Sequence, residues 1–125
     1  MAYIDIEDAI QAELTASHYN ACAKPLPAAF AMPHVCVDLL NAYDVNEAQA
    51  VYNVHMDVRA ADYAAAAQTA AEIADWTRSL VGKSLAGKPV YMLDDLRILR
   101  AQPDAANENA ILTTVSASLR VRVAD

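Results

Sequence analysis

Two runs of strict alternation set what this chain can become. Residues Ala110–Val123 place Ile111, Thr113, Val115, Ala117, Leu119, Val121 and Val123 at odd positions. Leu112, Thr114, Ser116, Ser118, Arg120 and Arg122 fall at even ones. Val51–Arg59 does the same: Tyr52, Val54, Met56 and Val58 against Asn53, His55, Asp57 and Arg59. Successive strand side chains point to opposite faces, so each run predicts a strand with one apolar and one polar face. A helix cannot hold either pattern on one stripe.

The second run passes straight into alanine. Asp62 is placed to cap a helix over 62–81, with Tyr63, Ala66, Ala67, Ala70, Ile73, Thr77, Leu80 and Val81 on one stripe and Gly82 as its C-terminal stop. Small side chains on that stripe let the helix lie close on a sheet. Hydrophobic residues reach 56% of the chain while aromatics supply only 6%, so the core is expected to be aliphatic.

The remaining elements follow from the same reasoning. Residues 3–16 read as a helix, with Asp5 as N-cap and Ile6, Ala9, Ile10 and Leu14 at helical spacing. Pro25, Pro27 and Pro33 make 24–33 a Pro-rich connection without regular structure. His34–Ala42 is a strand, with a turn over 41–47, so 34–59 forms a hairpin. Residues 82–89 form a loop. Residues 90–123 form a second hairpin, with an irregularity at Asp94-Asp95 and a turn at 102–109. The order α-β-β-α-β-β predicts an α+β two-layer sandwich. Its four-stranded, mostly antiparallel sheet carries the long helix on one face, beside an N-terminal helix. At 125 residues the chain is expected to make one domain, 1–125.

Charge and cysteine content narrow the function classes. The net charge of −7 argues against nucleic-acid binding, and no aromatic residues interleave with Arg97, Arg100, Arg120 and Arg122 as a single-strand binder would require. Of nine basic residues, only Lys24 precedes Arg59, which suggests a two-signed molecule able to dock on copies of itself. Two cysteines make no disulfide scaffold. No run reaches membrane-spanning length, and the acidic N-terminus M-A-Y-I-D-I-E-D does not read as a signal peptide, so synthesis in a reducing cytoplasm is expected.

Chemical motifs are weak. His18, Cys22, His34 and Cys36 lack the tight paired spacing of a zinc site. His55 and Asp57 share a strand face, and a pocket they lined with Ser116 would suit a small dimeric ligand-binding domain or enzyme, but no nucleophile motif accompanies them. Asp94 and Asp95 would point to opposite faces and could not share an ion. Trp76 is expected to anchor the core or an interface. No catalytic residue, cofactor or metal is assigned.

The assembled pattern resembles a known family. The strand V-Y-N-V-H-M-D-V-R-A, the helix A-D-Y-A-A-A-A-Q-T-A-A-E-I-A-D-W, the segment K-P-V-Y-M-L-D-D-L-R-I-L-R and the closing T-T-V-S-A-S-L-R-V-R are similar to the tail terminator (tail completion) proteins of long-tailed bacteriophages. The likeness is carried by residues 50–123, and the N-terminal helix also fits. It implies a non-enzymatic α+β virion protein at the neck, made in the host cytoplasm. It implies a homo-hexameric ring that caps the head-proximal end of the tail tube, with the major tail tube protein and a head-completion protein as partners. Another head–tail connector is the nearest alternative. A ring needs unlike patches that meet between copies. Charge placement nominates Arg59, Arg97, Arg120 and Arg122 as basic contacts and Asp44, Glu47 and Asp57 as acidic ones. An exposed edge strand would extend the sheet into a neighbour.

Overall fold

The structure, a computed structural model, describes residues 3–122. Val123, the last residue of the closing alternation, lies outside them. The chain runs α1 (Ile6–Ala16), β1 (Asn20–Ala23), β2 (His34–Asp44), β3 (Gln49–Ala60), α2 (Tyr63–Arg78), β4 (Ser84–Leu85), β5 (Lys88–Ile98), β6 (Gln102–Asp104) and β7 (Asn107–Arg122). All seven strands join one sheet in the order β1-β2-β3-β7-β5-β4, with β6 also on β7. β1 runs parallel to β2, and every other pairing is antiparallel.

This corrects the expected four-stranded two-layer sandwich. The sheet is mixed, has seven strands and curls into a half-barrel, and strands make up 49% of the structure. Three short strands account for the difference. β1 reads N-A-C-A, too short to show an alternation. β4 has two residues, and β6 contains Pro103. Each is held by pairing with a longer neighbour, which leaves no periodic trace in its own sequence.

The centre of the sheet is the β3–β7 pair, in register from Gln49↔Arg122 to Ala60↔Ile111. Its inward side chains, Tyr52, Val54, Met56, Val58, Val115, Ala117, Leu119 and Val121, are buried. Ile6, Ile10 and Leu14 of α1 and Ala70, Ile73 and Ala74 of α2 join the same core, so both helices cover one face. Asp5 caps α1 by accepting from Asp8 N at 3.2 Å, and Asp62 caps α2 by accepting from Ala65 N at 2.8 Å. The α1 helix starts at Ile6, not residue 3, and α2 ends at Arg78 with Ser79 as its C-cap. Trp76 is half-buried on the core, and its Nε1 donates to Ser17 Oγ at 3.2 Å, tying α2 to the end of α1.

Irregularities fall on both sides of the central pair. The β4–β5 hairpin turns through Ala86 (φ 50°) and Gly87 (φ 78°), the left-handed pair that a two-residue hairpin requires. The β5–β7 register shifts between Val90 and Met92 and again between Asp94 and Arg97, where Asp95 has φ 56°. The acid pair therefore sits in a bulge. β2 is bulged between Leu39 and Asn41.

Candidate interaction surface

The face of the sheet away from the helices carries the polar halves of the alternating strands. In register, Asn53 faces Ser118, His55 faces Ser116 and Asp57 faces Thr114. Much of this layer is bonded to itself. Thr114 Oγ1 donates to Asp57 Oδ1 at 2.7 Å, Asn53 Nδ2 donates to Asn41 Oδ1 at 2.7 Å, and Ser118 donates to Asn53. Lys24 Nζ lies 2.9 Å from Asp38 Oδ2. Such a layer presents satisfied groups rather than a poised acid or base.

At one end of this face sits a buried ion pair. Arg59 Nε donates to Asp104 Oδ2 at 2.7 Å, with side chains only 11% and 5% exposed. Burial pushes the Asp104 carboxyl up. The Arg59 hydrogen bond, the Ala106 backbone N–H and the Arg59 charge outweigh it, so the group is held below its ordinary value of 3.8. Arg59 Nη1 and His34 Nδ1 are buried without a partner among the described residues. His34, which faces Arg59 across β2–β3, packs against the Phe30 ring at 4.9 Å. Burial, then the Arg59 charge, lowers its affinity for a proton.

The cysteines meet on adjacent strands, Cys22 of β1 opposite Cys36 of β2. Burial pushes the Cys36 thiol up to about 12, helped by hydrogen bonding and charge from Cys22 and by the charge of Asp57, against a smaller opposing pull from Arg59. A thiol held so high is a poor nucleophile. Among the described residues no group of three or more His, Cys, Asp or Glu side chains is placed to hold a metal ion. A cleft of about 360 Å³ lies between α1, β1 and the Pro-rich connection, lined by Tyr19, Cys22, Pro27, Phe30 and His34 among others. His55, Asp57 and Ser116 are not part of its lining.

The seven charged residues nominated from sequence separate into three groups. Asp44 ends β2 and Glu47 lies in the β2–β3 turn, and Arg120 and Arg122 lie close by, opposite Val51 and Gln49. Asp44 accepts from the Tyr3 hydroxyl, and Arg122 Nη1 donates to Tyr91 Oη at 3.3 Å. Arg120 Nε is buried and unpartnered among the described residues. Arg59 sits at the far end in the Asp104 pair. Asp57 and Arg97 lie between, the one bonded to Thr114 and the other 2.7 Å from Asp95. Opposite charges thus share the β2–β3 turn end, and the sign split along the chain does not become two opposed faces.

Sequence reasoning expected an exposed edge strand but did not identify the apolar side chains on the rims. Leu40, Tyr43 and Val45 on the β2 side and Tyr91, Met92, Ile98 and Leu99 on the β5 side are large, apolar and exposed. Scattered exposed apolar residues are ordinary, but these gather along the two open edges of one sheet.

No family model and no curated protein sequence matches the chain. The fold is similar to a chain in the solved structure of the virion of a native gene transfer agent particle. The TM-score is 0.54 at 19% identity, over 97% of this chain and 100% of that one. At that identity the likeness is one of fold.

Proposed function

We propose that the protein is a structural component of a phage-like virion. There it acts as a tail terminator: a ring at the head-proximal end of the tail tube that ends tube growth and joins the tail to the neck. The observation that carries the reading is the end-to-end fold likeness to a chain of the gene transfer agent virion. It agrees with the family resemblance of residues 50–123. The internally bonded polar face and the high Cys36 thiol favour a non-enzymatic role.

On this reading the protein associates with itself as a hexamer, with the tail tube protein and with a head-completion protein. Arg97, Arg120 and Arg122 and the acids Asp44 and Glu47 are its contact charges, while Arg59 and Asp57 support the surface from within. The test is native mass by light scattering at two salt concentrations, with and without tail tubes, beside the length distribution of tubes grown in its presence. A hexamer, or a monomer that becomes one on tubes, together with shortened tubes, is the expected result. A ring that leaves tube length unchanged would move the protein to another position in the neck. A salt-insensitive dimer indifferent to tubes would sink the virion reading in favour of a ligand-binding domain.

A further inference from the structure

The rims of the sheet are built to meet. β1 covers β2 only from His34 to Val37, and β4 covers β5 only at Lys88 and Pro89. Lys24 N reaches Val37 O, and Glu7 takes Leu39 N at 2.7 Å. Gly82 and Lys83 satisfy Val90. Beyond those points, Leu40–Asp44 at one rim and Tyr91–Ile98 at the other have no strand on their outer side among the described residues. Open edges of this kind are templates for pairing.

Three observations say what fits. The first is direction. β2–β3, β3–β7 and β7–β5 are all antiparallel, so β2 and β7 run one way and β3 and β5 the other. A second copy in the same orientation would bring its β2 antiparallel to β5, continuing the alternation as a cyclic assembly requires. The second is the outward rows across the sheet. Asp38, His55, Ser116 and Arg97 form one row. Asn41, Asn53, Ser118 and Asp94 form the next, and Tyr43, Val51, Arg120 and Met92 the third. Each row ends in chemically matched residues: acid against guanidinium, amide against carboxylate, and aromatic ring against thioether. The third is the bulges. The extra residue in β2 and one of the two in β5 fall between the first and second rows, so both edges deform at that level, while the other β5 shift, between Val90 and Met92, lies beyond the third row.

We propose that copies of this chain join head-to-tail through the β2 rim of one and the β5 rim of the next, extending the sheet in the register Asn41–Asp94, Tyr43–Met92, with the Asp38 carboxylate beside Arg97 where the open stretch ends. This rests on the ring reading above and specifies its interface. The exposed Arg97–Asp95 pair and the half-buried Lys24–Asp38 pair exchange partners at the junction, while Tyr43 and Met92, 53% and 43% exposed in the single chain, become covered.

The test is a doubly substituted protein, Tyr43→Cys with Met92→Cys, oxidised at a concentration where the unmodified protein assembles, with or without tail tubes. Directly opposed antiparallel residues lie within disulfide reach. The expected result is a ladder of covalent oligomers on a non-reducing gel, ending at the ring size. Neither single variant nor the unmodified protein should form one. Met92→Lys, checked to be folded by circular dichroism, should weaken self-association by about tenfold or more. Assembly by mass without a ladder in the double variant would overturn this interface and leave the ring standing. Dimers from Tyr43→Cys alone would show an isologous contact and overturn it too. An unmodified protein that stays monomeric even on tail tubes would overturn the interface and the ring together.

Discussion

The middle of the sheet and its rims obey different rules. At the middle, β3 and β7 pair along their whole length, bury their inward side chains and bond their outward ones across the strands. At the rims, β2 and β5 pair on one side only and leave Tyr43, Met92 and Ile98 to water. The same contrast appears in the charges. Arg59–Asp104 is sealed within the protein, whereas Arg97–Asp95 is 65% and 57% exposed over a bulge. The middle is buried and fully paired while the rims are open, and on the proposed ring interface one substitution should not damage both.

The largest effect should come from the sealed pair. Asp104→Ala leaves the Arg59 guanidinium buried and unpaired, which costs about 3–5 kcal/mol in denaturant unfolding. A loss under about 1 kcal/mol would mean that water already reaches that guanidinium. Leu119→Ala, in the buried centre of β7, should cost about 3 kcal/mol through lost burial and a residual cavity. Asp62→Ala should cost about 1 kcal/mol by removing the α2 cap, seen as a lower melting temperature with the sheet signature intact. Arg97→Glu, at the rim, should change the stability of the isolated chain by less than about 1 kcal/mol while weakening self-association. A rim variant that lowered stability as much as Leu119→Ala would erase the distinction between the two regions.

Acid sharpens the same comparison. Both Asp104 and His34 have folded proton affinities below their ordinary values, so the unfolded chain binds the proton more readily. Their contributions are present at high pH and lost on acidification. The His34 contribution falls as pH drops below 6.5 toward its folded value, and the Asp104 contribution falls below 3.8. Unfolding free energy measured from pH 8 downward should therefore decline in two stages. His34→Gln should flatten the first stage and leave the second. A profile unchanged by that substitution would remove His34 from the account.

Where a segment states its own period, it was legible. The long strands of the centre, both helix caps and the bulge at the acid pair follow from alternation, from aspartates ahead of apolar stripes and from charges that interrupt a run. The short strands were not. Asn20–Ala23 becomes a strand because β2 offers it an edge, and Gln102–Asp104 because β7 extends past the end of β5. The candidate surface divides in the same way. The outward face bearing Asn53, His55, Ser116 and Ser118 could be read directly, because parity alone puts those residues on one side of the sheet. That Arg59 would be spent inside the molecule could not, because its partner lies 45 residues away on a strand with no signature.

Sequence alone therefore determined which residues face the core and which face outward along β3 and β7, because a period of two fixes that choice where no bulge interrupts the pairing. It also picked out Asp5 and Asp62 as the helix caps, because a cap is a local hydrogen bond, although the first helix was expected from residue 3 and begins at Ile6. Only the tertiary structure decided the number of strands, the curl of the sheet, which charges are sealed and which edges stay open. Each of these depends on what lies beside a strand, and a neighbour distant in the chain leaves no mark on local sequence.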